Sequence, residues 1–84
     1  VEARARGAQP APGLLNALGV ALRREGRFED ARMAYEEALT LDASAALPHL
    51  NLAILHDLFL GDAAKAQPLY QRYAELVPGE SAQV

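Results

Sequence analysis

The chain has 84 residues, 51% of them apolar, and 8 Lys+Arg against 11 Asp+Glu give a net charge of −3. Cysteine is absent, which excludes disulfides, thiolate chemistry and Cys-ligated zinc. No apolar run approaches the ~18 residues of a membrane span, and no signal-peptide layout opens the chain. The apolar fraction is mostly 18 Ala and 14 Leu, with only 6 β-branched residues. Ala and Leu are the best helix formers, whereas sheets favour β-branched and aromatic side chains, so the composition points to an all-α fold. A domain of this size buries only about 60% of its unfolded surface. A start at Val1 rather than Met further suggests a piece of something longer, with neighbours missing.

Residues 1–13 are polar and Ala-rich and are interrupted by Pro10, Pro12 and Gly13. This spacing predicts a flexible arm or the frayed end of an upstream element. From Leu14 the pattern is helical: Leu15, Leu18, Gly19 and Leu22 form one stripe, with Pro12 near the helix start and Gly26 as its stop. A second stripe runs through Phe28, Ala31, Tyr35 and Ala38, with Leu39 and Leu41 near its end, and Glu29 and Asp30 favour its first turn. After a short loop over 42–46, a third helix is expected near Leu47, with Ser44 available as its cap and Pro48 in its first turn. Its stripe is Leu47, Leu50, Ala53 or Ile54, and Leu58, before Gly61. A fourth helix is expected from an Asp62 cap to Val77, with Ala66, Leu69, Tyr70, Tyr73 and Leu76 on one face. Pro68 inside it predicts a kink or a late start, since its ring presses on the carbonyl of Ala64. Pro78 and Gly79 end the helix, and the tail over 79–84 is expected to be disordered.

The two halves repeat. At a shift of about 35, Gly26 falls on Gly61, Ala31 on Ala66, Tyr35 on Tyr70 and Leu41 on Leu76; at a shift of about 34, Leu18 falls on Leu52 and Gly19 on Ala53. One extra residue therefore lies before Gly61, which turns Leu58 to Leu60 by roughly 100° in a regular helix. The pattern resembles the tetratricopeptide repeat, whose period is about 34 and whose signature is W-x2-L-G-x2-Y, then A-x3-F, then A and P. Leu15, Leu18, Gly19 and Leu22 take the first-helix positions, and Ala31, Tyr35 and Ala38 the second-helix set, while Ala43 replaces the proline. In the second half His49 and His56 replace the two aromatics, Leu52 and Ala53 the Leu-Gly pair, and Tyr73 a small Ala. Ala66, Tyr70 and Pro78 fit. The resemblance implies two antiparallel helix hairpins, about 13–42 and about 46–78, stacked as a short right-handed solenoid within one domain over 14–78.

Catalytic residues are scarce. Ser44 and Ser81 are the only serines and lie in loops, and His49 and His56 are seven apart. That separation places their backbones ~10 Å apart along a helix, whereas chelation from one helix prefers a spacing of about four. No G-x-G-x-x-G or Walker loop is present, so no enzyme, cofactor or metal site is expected. Nucleic acid is not expected either. Residues 1–35 carry 6 Arg against 4 acids (+2) and residues 36–84 carry 2 bases against 7 acids (−5), a split charge rather than a basic surface.

The resemblance implies instead that the inner face of each hairpin's first helix lines a groove for a peptide or protein segment. That face carries Asn16, Val20, Arg23 and Arg24, then Leu47, Leu50, Asn51, Ile54 and Asp57. Asn51 coincides with a position where family members often hold a peptide backbone. Arg23 or Arg24 is suited to bidentate binding of a partner carboxylate, so the expected partner includes an acidic segment. The same residues also fit a plain solvated face. A second reading is structural: a spacer or capping segment of a longer helical scaffold, or a self-association module, since two repeats fall short of the three usually needed for stability.

Overall fold

The computed structural model describes residues 11–77. The expected arm over 1–10, the Pro78–Gly79 stop and the tail over 79–84 lie outside the described residues. The chain forms four helices: α1 (Pro12–Arg24), α2 (Phe28–Leu41), α3 (Ala46–Ile54) and α4 (Ala63–Leu76). α3 continues into a π-helical turn over Leu55–Phe59. α1 packs on α2 and α3 on α4 as two hairpins, which join where α2 meets α3. The fold is all-α.

α1 begins at Pro12, two residues ahead of the apolar pattern. A first-turn proline sacrifices no hydrogen bond, and extended Ala11 accepts from the N–H groups of Leu14 and Leu15. Its far end closes on Gly26 at φ 80°, with Arg27 N–H donating to the Leu22 carbonyl and Gly26 N–H to that of Arg23. These are the two bonds of a Schellman motif, and they need a residue at ease in the left-handed region.

The second hairpin handles its extra residue differently from a rotated helix. Leu60 N–H donates to the Leu55 carbonyl, and Asp62 N–H reaches back to that of His56, one residue farther than the first hairpin's cap. The insertion is thus wound into a wide π turn, and Gly61 (φ 65°) still stands where Gly26 does in the first hairpin.

Three local expectations are corrected. Ser44 does not cap α3; Asp42 instead accepts from both the Ser44 backbone N–H and its hydroxyl, at 3.0 and 2.7 Å, making an Asx turn of the loop. The Ser44 hydroxyl, and then its N–H, hold the Asp42 carboxyl below its usual range. Pro68 does not delay α4, which starts at Ala63 behind an Asp62 side chain accepting from Lys65 N–H.

The third correction concerns α3. The side chains it buries are Pro48, His49, Leu52 and Ala53, followed by Leu55 and His56 in the π turn. Leu47 and Leu58, expected on the core stripe, are 56% and 70% exposed, and Leu50 and Ile54 are half-buried. α3 is apolar nearly all round, so periodicity alone cannot choose which apolar face turns inward. The neighbours on both sides choose it.

The core forms at the junction of the hairpins. Ala31, Tyr35, Leu52 and Leu55 are buried there, with Val20, Leu22, Phe28, Leu39, Leu60 and Leu69 packed around them. Gly19 is required by contact: a Cβ on it would lie 2.4 Å from Cε1 of Tyr35. Tyr35 therefore packs directly against α1 at Gly19 and is fully buried.

Candidate functional site

The expected site residues lie on the first helices of the two hairpins. Asn16, Val20, Arg23 and Arg24 lie on α1; Leu50, Asn51 and Ile54 lie on α3, and Asp57 in the π turn. α1 and α3 touch each other, so the fold brings the two sets side by side. The direct link is a hydrogen bond from Asn51 Nδ2 to Asn16 Oδ1 at 3.0 Å. It leaves one amide oxygen and three amide N–H protons of the pair for other partners.

The remaining polar members are tied in different ways. Asp57 accepts from the Tyr70 hydroxyl at 3.1 Å, which binds the π turn to α4. Burial, and then that bond, hold the Tyr70 phenol above its ordinary range. Arg23 places its guanidinium 5.3 Å from the centroid of the Phe59 ring, and Phe59 in turn lies 5.1 Å from Phe28, tilted by 37°. Arg24 is exposed. Leu47, half-buried Leu50, half-buried Ile54 and half-buried Val20 supply the apolar part of this face.

Charge pairing singles out α1. Arg27 lies beside Asp30, Arg32 between Glu29 and Glu36, Lys65 beside Asp62 and Arg72 beside Glu75. Among the described residues, Arg23 and Arg24 are the two basic side chains outside these ion pairs.

Phe59 was not among the sequence candidates. The signal for it was the extra residue before Gly61, because a π turn is what carries Phe59 across to Phe28 and Arg23. The two histidines are core side chains. His49 Nε2 donates to the Ala43 carbonyl at 2.9 Å, whereas Nδ1 of each ring is buried without a partner. Among the described residues no group of three or more His, Asp or Glu side chains is disposed to hold a metal ion.

Two concavities flank these elements. One, of about 680 Å³, is lined by Glu29, Arg32, Glu36, His56, Leu60, Asp62 and Lys65. Its charges largely neutralise one another, with Arg32 at 2.8 Å from both glutamates; Glu29 and then Glu36 hold that guanidinium above its usual range. The other, of about 260 Å³, lies where α1 and α3 begin and is walled by Pro12, Gly13, Asn16, Ala45, Ala46, Leu47 and Pro48. It continues the Asn16–Asn51 face toward the helix starts.

Residues 12–45, which hold α1, α2 and the loop to α3, match the family model of the tetratricopeptide repeat. The first hairpin is a tetratricopeptide repeat. No curated protein and no solved structure gives a significant match to the chain. Of the repeat positions assigned from the motif, Leu15 is buried, Gly19 meets Tyr35, and Ala31 and Ala38 are fully buried, whereas Leu18, expected on the same stripe, is 48% exposed because no helix among the described residues packs on that side of α1. The second hairpin, beyond the matched residues, repeats the architecture. Tetratricopeptide repeats are generally protein-interaction modules and are typically non-catalytic, so a protein partner is the class of ligand that the repeat suggests. Among the described residues no helix is long and apolar enough to cross a membrane.

Proposed function

We propose that the chain binds a peptide or protein segment along the face formed by α1 and α3, with Asn16, Val20, Arg23, Arg24, Leu50, Asn51, Ile54 and Asp57 as its contacts. The observation that carries this reading is the Asn51–Asn16 bridge between the two first helices. It fixes two amides at the middle of an otherwise apolar strip, where their free N–H and C=O groups can pair with the backbone of an extended segment. The strip offers Leu47 and Leu50 before the bridge and Ile54 after it, an apolar surface of the kind that alternate side chains of such a segment bury. Arg23 and Arg24, without acidic partners among the described residues, favour a segment that carries negative charge at that end. Titration of the ¹⁵N-labelled chain with a labelled acidic peptide should shift Asn16, Arg23, Arg24 and Asn51 together. Absence of shifts at all four would remove the reading.

A second reading, a spacer or capping segment of a longer array or a self-association module, is favoured by the outer side of α1. Leu14 and Leu18 are 65% and 48% exposed, whereas their counterparts Pro48 and Leu52 in the second hairpin are buried. A sedimentation profile of a stable monomer, together with a cooperative melt, would exclude self-association as the way those leucines are covered.

A further inference from the structure

The cavity of about 680 Å³ lies apart from the α1–α3 face: α2, the π turn and the start of α4 line it, and α1 supplies nothing. α2 contributes Glu29, Arg32 and Glu36, the π turn His56, and α4 its first-turn Lys65 together with the capping Asp62. Each glutamate gives its Oε1 to Arg32, which leaves the Oε2 of each without a partner among the described residues. Asp62 Oδ1 accepts from the Lys65 backbone N–H, but Oδ2 lies 3.9 Å from Lys65 Nζ, too far for a hydrogen bond. The Lys65 ammonium therefore keeps its donors.

His56 is the member of this lining that packing does not explain. It is only 6% exposed and stands where the repeat pattern has an aromatic ring, a place that burial by itself would give to an apolar side chain. Its Nδ1 is sealed and has no acceptor, so the neutral ring carries its hydrogen on Nε2. Nε2 is not sealed, makes no hydrogen bond within the described residues, and belongs to a side chain at the cavity. The extra residue of the second hairpin holds the ring there. The His56 carbonyl accepts from Asp62 N–H at 2.7 Å, which ties the histidine to the start of α4 through a wide turn of a kind common at functional sites.

The lining sets three carboxylates against two cations. A small anion meets Glu29, Glu36 and Asp62, and a small cation meets Arg32 and Lys65, so neither finds the whole cavity favourable. A molecule that carries both charges does. We propose that this cavity binds a small zwitterion, an amino acid whose ammonium is held by the spare oxygens of Glu29 and Glu36 and whose carboxylate accepts from Lys65 Nζ and His56 Nε2–H. Its volume falls within the range of small-molecule sites. The site shares no residue with the peptide-binding face, and the two stand or fall separately.

The test is an NMR titration of the ¹⁵N-labelled 84-residue chain with glycine, 4-aminobutanoate and 6-aminohexanoate, at fixed pH and ionic strength, against butylamine, butanoate and glycerol. At least one of the three amino acids should shift the His56 ring and the Lys65 N–H saturably, while Asn16 and Asn51 stay in place. The singly charged molecules and glycerol should bind at least about tenfold more weakly, as expected for the loss of a charged hydrogen bond. Any of them binding as tightly would overturn the zwitterion. So would shifts that never saturate, or that are no larger at His56 than at exposed Arg72. Lys65→Met and Glu36→Gln alter exposed side chains and should each weaken the amino acid about tenfold. His56→Phe restores the aromatic of the repeat pattern and should weaken it likewise while melting no lower than the parent, a combination that a packing role does not produce. Arg72→Gln should match the parent, and unchanged affinity in any of the other three variants would overturn the proposal.

Discussion

Tyr35 and Tyr70 hold the same position in successive hairpins and have different surroundings. Tyr35 is sealed between Gly19 and the second hairpin, and its hydroxyl is unpartnered. Tyr70 is half-buried, and its hydroxyl donates to Asp57. The same contrast runs along both helices: Ala34 and Ala38 are buried under the second hairpin, whereas the corresponding Leu69 and Tyr73 on α4 are only half-buried. The inner junction uses small residues because a helix must approach it closely. α4 carries larger ones at these positions, Leu69 packing at the edge of the core, and no further helix follows α4 among the described residues. Position in the repeat sets which way a side chain points, and the next helix decides what that direction is worth.

The comparison can be broken at several points. Leu55→Ala should have the largest effect, about 2–5 kcal/mol by chemical denaturation, because Leu55 is fully buried at the π turn. Its first-hairpin counterpart Ala21 is exposed, so Ala21→Gly should cost only about 1 kcal/mol through helix propensity. Equal costs would mean that the hairpins are not inequivalent. Gly19→Ala should follow at about 1–3 kcal/mol, since the new methyl enters the Tyr35 ring. A denaturation midpoint equal to the parent's would show that Tyr35 moves aside freely.

The tyrosines give a sharper contrast in sign. Tyr70→Phe removes a made hydrogen bond and should destabilise by about 0.5–1.5 kcal/mol. Tyr35→Phe removes an unsatisfied buried hydroxyl and should be neutral or stabilising in the free chain. Paired thermal melts check this, and the same sign for both would contradict the assigned surroundings. The smallest effect is at the loop between the hairpins. The Asp42 carboxyl is depressed in the folded chain, so its contribution is present above the unfolded-state value and is lost as pH falls through the folded one. Ser44→Ala removes the main cause, and the acid limb of its stability profile should be shallower than the parent's.

Much of this architecture was legible because small and aromatic residues recur where helices touch. Gly19, Ala31 and Tyr35 announce a close hairpin, and Gly26 and Gly61 announce its turns. Periodicity did not give the inward face of α3, since Leu47, Leu50, Ile54 and Leu58 make as good a stripe as Pro48, Leu52 and Leu55, whereas the repeat register did, through His49, Leu52, Ala53 and His56. The candidate site was readable as a set of residues, through the register shared by α1 and α3. Its internal bonds were not, because Asn51 to Asn16, Asp57 to Tyr70 and Arg23 to Phe59 all join segments distant in the chain.

The sequence by itself determined that the chain is helical, that it is built from two hairpins about 34–35 residues apart, and where the close contacts fall. Those properties follow from local propensity and from the spacing of residues along a helix. Tertiary structure alone decided how the extra residue is absorbed and which arginines lack an acidic neighbour. Each of these depends on what lies across from a side chain, and the spacing along one strand of sequence carries no record of that.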